Sequence, residues 1–194
     1  MKSQLLHEQP PGRPAALLGN RSQMEGWDAA VREDHRALKR QADVLDSALR
    51  VDVGDQDRRV VLSWTLRSLW PGMELHLRKE EETLLVRLES LLGGGSGALA
   101  MLRREHADLR AGFRHLAELI QDPFHLEWDR IELAVEGFLY LLEEHEKLGD
   151  RLLLDVLQYS LNRKERTSLM EAYRKVAERA HAEEGWPPPA NVEE

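Results

Sequence analysis

The sequence predicts an all-α protein: four long helices in an antiparallel up-down bundle, followed by a shorter fifth. Three observations predict it. The composition is that of a helix bundle, 32% charged with only 6% aromatic residues, and dominated by Leu, Glu, Arg and Ala. Apolar residues recur at alternating spacings of three and four along four stretches, the period of a buried helix face. Glycine, proline and aspartate cluster between those stretches, where turns are needed. The 194 residues suit one domain with extended ends and a sizeable core.

Residues 1–23, rich in Pro, Gly and Gln, are expected to form a flexible lead-in with His7 in solvent. The bundle is expected over 24–160, the additional helix over 161–182 and a mobile tail over 183–194. The first helix, about Met24 to Arg50, carries Val31, Leu38, Ala42, Leu45 and Leu49 on one face, and His35 completes that run. Gly54 between aspartates marks the turn. The second helix is expected from near Gln56 to Leu92, with the stripe Leu66, Leu69, Met73, Leu84, Leu88 and Leu91 passing through His76 and Glu80. Pro71 removes one backbone donor and predicts a kink there rather than a stop.

The run GGGSG at 93–97 ends that helix. The third helix, about Ala98 to Ile120, has the stripe Leu99, Leu102, His106, Leu109, Phe113, Leu116 and Ile120. A loop with Asp122 and Pro123 follows, where His125 is expected in solvent. The fourth helix, about Glu127 to Tyr159, shows Val135, Phe138, Leu142, His145, Leu148, Leu152, Val156 and Tyr159. In the fifth, about Lys164 to Ala180, Leu169, Tyr173, Val176 and Ala180 share a side that would dock on the bundle or on a second subunit, as in a homodimer.

A net charge of -8 argues against a nucleic-acid partner, which wants a concentrated basic face. With no cysteine, disulfides, iron–sulfur clusters and thiolate chemistry are excluded, so any metal is held by histidine and carboxylate. The N-terminus lacks the apolar run of a signal peptide and no stretch predicts a membrane span, so a soluble cytoplasmic protein is expected.

One histidine on an apolar helix face is usually a core residue with a hydrogen-bond partner. Four of them, His35, His76, His106 and His145, one on each long helix, point instead to a metal site. His7, His125 and His181 fall outside the helical core, and His115 sits off its stripe. Glu80 follows His76 by four residues and Asp150 follows His145 by five, so each carboxylate stands about one turn from an imidazole. An acid so placed can share or bridge ions and neutralises part of a dipositive charge in a dry interior. Glu81 and Glu146 are adjacent candidates whose plainer expectation is a solvated face. The helix lengths pose a test, because His76 lies about 16 residues from its helix end and His106 only about 8 into the next.

The segments DH at 34–35, HLRKEEETLL at 76–85, EHADLR at 105–110 and EEHEKLGDRLLL at 143–154 together resemble the hemerythrin-like, or HHE cation-binding, domain. The resemblance covers about residues 27–158. It implies an antiparallel four-helix bundle around a non-haem di-iron centre, with His35, His76, His106 and His145 as terminal iron ligands and Glu80 and Asp150 as bridges. Two positions depart from the pattern. Arg110 stands where respiratory hemerythrins have a second histidine on the third helix, and Gly149 stands where many HHE proteins have glutamate. Reversible oxygen carriage is therefore not implied, and a mononuclear centre is the alternative to a di-iron one.

The function expected first is that of an iron-binding protein that senses, stores or detoxifies through O2, NO or peroxide, or that responds to iron itself. The alternative is a metal-free helical interaction or regulatory module, its histidines hydrogen-bonded to Glu80, Asp150 and Tyr140. No nucleophile triad, phosphate-binding loop, zinc-protease motif or paired Glu-x-x-His pattern is found, so a binding role is expected ahead of an enzymatic one.

Overall fold

The computed structural model describes residues 26–182 apart from 94 and 123–126; the expected lead-in, the tail, His7 and His125 lie outside the described residues, as does the His181 side chain. Among the described residues the regular structure is all helical: α1 (Trp27–Leu49), α2 (Asp55–Lys79), π1 (Glu80–Leu84), α3 (Leu85–Leu92), α4 (Gly97–Gln121), α5 (Trp128–Gly149), π2 (Asp150–Leu154), α6 (Asp155–Ser160) and α7 (Arg163–Ala182). The residues at the joints of π1 and π2 keep right-handed helical backbone, so α2–π1–α3 and α5–π2–α6 are each one continuous rod. The first of these passes through Pro71 without stopping. It ends where Gly93, at φ 80°, and Gly95, at φ 99°, take the left-handed backbone that side chains disfavour. A reciprocal cap opens α7: the Glu165 amide donates to Asn162 Oδ1 at 3.0 Å and the Asn162 amide to Glu165 Oε2 at 2.9 Å.

The four rods close a ring, α1 against α2 and α5, and α4 against α2 and α5. Their alternating direction follows from two apolar clusters. One contains Leu38, Leu45, Leu66, Met73, Leu109, Phe113, Phe138 and Leu142. The other contains Trp27, Val31, Leu84, Leu88, Leu99, Leu102, Leu153 and Leu157. Read along the chain, α1 passes from the second cluster to the first, α2 from first to second, α4 from second to first and α5 from first to second. Each rod crosses between clusters at its histidine. The bundle is thus two apolar cores with a polar layer between them, an up-down-up-down arrangement.

The stripes expected for α1, α4 and α7 are the buried ones, with Ala42 half-buried. That of the fourth long helix is not, beyond His145. Leu148, Leu152 and Val156 are only partly buried and Tyr159 is 86% exposed, while Leu153, Leu154 and Leu157 fill the core. The cause is π2. A π turn holds one more residue than an α turn, so the inward face moves on by about one position, and a constant period read through it selects the wrong side. Likewise Leu85 is buried beyond π1, and Leu91 is exposed at the end of α3.

Helix α7 docks on its own bundle, against α1, α2 and π1, through Leu169, Tyr173, Val176 and Ala180. Tyr173 donates its hydroxyl to Asp34 Oδ2 at 2.7 Å, and Lys79 donates to the same oxygen at 2.8 Å. Burial and the Asp34 charge push the Tyr173 phenol well above its ordinary range, so it stays a donor. Arg87 with Glu165 and Arg179 with Glu82 tie the two ends of α7 to the second rod.

Candidate metal centre

The polar layer is built around Glu80, the first residue of π1, whose side chain is fully buried. Its two oxygens face different pairs of rings. Oε1 lies 3.7 Å from His35 Nε2 and 3.5 Å from His76 Nε2. Oε2 lies 3.2 Å from His106 Nε2 and 3.6 Å from His145 Nε2. His76 Nε2 and His145 Nε2 are 3.2 Å apart, which links the pairs. Two groups, His35–His76–Glu80 and Glu80–His106–His145, each have their ligand atoms within 4.8 Å of one another.

Helical spacing explains the convergence. His76 and Glu80 stand four apart on one rod, one turn from each other, and each of the other rods contributes one ring from the position where its stripe changes clusters. All four rings are buried, with at most 6% exposure. His115 is exposed.

The sixth candidate, Asp150, is brought to this group but not into it. Its Oδ1 approaches His35 Nδ1 to 3.2 Å, on the side of the ring away from Glu80, and its Oδ2 accepts from Arg32 at 3.1 Å. Half-buried Glu146 lies beside the same layer; burial raises its carboxyl above the usual range. Tyr140, expected as a hydroxyl partner for the rings in a metal-free module, is 62% exposed on the outer face of α5 and is not available for that role. Gly149 stands against the layer: a Cβ there would lie 3.7 Å from both Glu80 Oε1 and His35 Cε1.

The sequence also understated three residues. Glu81 does not point to solvent; its Oε1 pairs with His106 Nδ1 at 2.9 Å. Arg110 turns away from the centre and binds Glu81 and Glu74. Glu105 Oε2 reaches 3.8 Å from His145 Nδ1. The signal for Glu81 was its place beside Glu80; nothing in the spacing marked Glu74 or Glu105.

The sequence matches the family model described as the hemerythrin HHE cation binding domain over residues 28–157. The chain belongs to that family. The hemerythrin match covers both π segments and all four rings, and α7 lies beyond it. No curated protein and no solved structure matches the chain significantly.

The electrostatics of this hemerythrin layer set one buried carboxylate against rings that differ in proton affinity. Burial favours the neutral acid of Glu80, yet His76, His106, His35 and His145 around it hold the carboxyl well below its usual range. Burial depresses His76 well below the ordinary imidazole value despite Glu80. For His106 burial acts in the same direction but is outweighed by the hydrogen bonds to Glu80 and Glu81, and its value rises to about 9. A cation suits the layer on independent grounds. Glu80 Oε1 and His35 Nε2, which face each other across the layer, are buried without a hydrogen-bond partner among the described residues, a cost of about 1–3 kcal/mol each when left unmet. Nitrogen and oxygen donors about 2.0–2.2 Å from one ion stand roughly 3–3.5 Å from each other, near the spacings found around each oxygen of Glu80.

Proposed function

We propose that this hemerythrin-family chain is a non-haem di-iron-binding protein. His35 and His76 would hold one ion with Glu80 Oε1, and His106 and His145 the other with Glu80 Oε2, so that Glu80 is the bridge. The observation that carries this reading is the division of four imidazoles into two pairs, one at each oxygen of a single buried carboxylate. Asp150, expected from the resemblance as a second bridge, would stand at the outer edge of His35, its Oδ1 3.2 Å from Nδ1.

Bound iron would supply a redox-active centre able to take a small ligand such as O2, NO or peroxide. The chain's own part is to hold the rings in place and keep bulk water out, with apolar clusters above and below the layer. Each pair of rings offers only two nitrogens and one oxygen, which leaves room for a further ligand. Gly149 keeps side-chain atoms away from the His35 side. This favours sensing, storage or detoxification over a purely structural ion. A metal-free module fits less well, since it would leave Glu80 Oε1 and His35 Nε2, both turned into the layer, unanswered.

Anaerobic reconstitution of chelator-stripped protein with Fe2+ tests the reading. About two irons per chain are expected, with near-ultraviolet charge-transfer absorption on oxidation. Stoichiometry near zero without that band would refute it.

A further inference from the structure

Resting on the two-ion reading, we propose that the Arg110–Glu81–Glu74 cluster makes the His106/His145 side of Glu80 the tighter of the two sides and the first to fill. Glu81 is the positioning residue that fixes the His106 ring.

A histidine that binds an ion through Nε2 keeps its proton on Nδ1. A carboxylate at Nδ1 holds that tautomer, stops the ring turning and makes Nε2 a better donor. The four rings differ in this respect. Glu81 Oε1 accepts from His106 Nδ1 at 2.9 Å. Asp150 Oδ1 comes within 3.2 Å of His35 Nδ1 but makes no hydrogen bond, and its side chain is 41% exposed. Glu105 stops at 3.8 Å from His145, and His76 Nδ1 has no hydrogen-bond partner among the described residues. Of the four rings, His106 has the firmest outer support.

That support is itself anchored. Arg110 Nη1 donates to Glu81 Oε1 at 2.6 Å and its Nη2 to Oε2 at 3.1 Å. The same guanidinium donates from Nε to Glu74 Oε2 at 2.7 Å and from Nη2 to Oε1 at 2.9 Å. A planar fork held at both edges leaves Glu81 little freedom, and its anchors are shielded, Glu74 at 12% and Arg110 at 22% exposure against 33% for Glu81 itself. By contrast Arg32, which holds Asp150, is 45% exposed and makes one bond to it. Glu80 and Glu81, consecutive at the start of π1, thus engage the two nitrogens of the His106 ring from its two edges.

The experiment is a Co2+ titration of the chelator-stripped full chain against a competing chelator, at about pH 9.5 so that the proton held on His106 does not compete with the ion, read by d–d absorption, for wild type, Glu81→Gln, Arg110→Met, the double variant and Glu82→Gln. Glu82, one residue along, pairs with Arg78 and Arg179 rather than with a ring, so Glu82→Gln controls for loss of a nearby charge and of its ion pairs. Wild type is expected to bind in two steps, the first tighter. Glu81→Gln should weaken the first step 10–100-fold, as loss of an outer partner typically does. Arg110→Met should weaken it too, but add less than twofold in the Glu81→Gln background, because it acts through Glu81. Glu82→Gln should change neither step. Thermal melts of the metal-free variants show that they are folded, and Glu81→Gln, nearly isosteric, serves if Arg110→Met is not. Two steps in wild type with the first unchanged within twofold in Glu81→Gln, or only the second weakened, would overturn this inference and leave the two-ion reading standing. A wild type that takes up no Co2+ and no Fe2+ would overturn both.

Discussion

At the scale of single residues, the centre combines groups that pull in opposite directions with pH. His106 is held at about 9, against an ordinary 6.5, because its bonds to Glu80 and Glu81 exceed the cost of burial. Glu81 falls to about 2, against 4.5, since its bonds from His106 and Arg110 outweigh burial. A raised histidine stabilises the fold fully below its unfolded value and ceases to do so as pH rises through its folded value. A lowered carboxylate stabilises above its unfolded value and loses that contribution as pH falls through its folded one. The metal-free protein should therefore lose stability between about pH 6.5 and 9.5, by on the order of 2–3 kcal/mol from His106. Urea denaturation of chelator-stripped protein at the two pH values measures it. The loss should shrink in His106→Gln; equal stability at both pH values in wild type would show that His106 is not held in its charged form by these acids.

At the scale of elements, the two π segments set the relation between the centre and the outer half of the bundle. Each begins at a carboxylate beside the polar layer, Glu80 or Asp150, and each shifts the register of the helix beyond it. Such single-turn insertions often mark functional sites in helices. Deleting exposed Arg151 removes the one residue that π2 holds beyond an α turn, so the segment should return to α-helical winding with α6 facing as it does now. Leu153, Leu154 and Leu157 would stay in the second cluster, and the metal-free variant should lose less than about 2 kcal/mol, well short of the cost of withdrawing three large apolar groups from a packed core. Chemical denaturation checks this; a loss of about 5 kcal/mol or more would mean that the extra residue in π2 is not what sets the register of α6. The insertion is also the main feature hidden in the sequence. The stripes of α1 and α4 are legible because they keep a constant period with one histidine in place of an apolar residue. No residue type announces the extra residue in π2, so a constant period puts Tyr159 inside where the structure has it outside.

At the scale of the whole molecule, the four rings come to one level because every rod changes apolar cluster at its histidine. The unequal distances along the chain, which on helix lengths alone argue against a common level, are taken up by overhang, with Leu91 and Leu92 left exposed beyond the second cluster. That much of the site is legible, since four histidines on four buried stripes can only meet between cores. The outer partners are not legible: whether Glu81 faces water or His106 depends on where Arg110 reaches across from α4, a tertiary contact that spacing along one helix does not encode. The most direct test of the central claim is anomalous diffraction at the iron edge from crystals of the anaerobically reconstituted protein. Two peaks flanking the Glu80 carboxylate are predicted, one beside His35 and His76 and the other beside His106 and His145. Iron-loaded crystals with no peak between these rings, or with iron only on surface carboxylates, would contradict it.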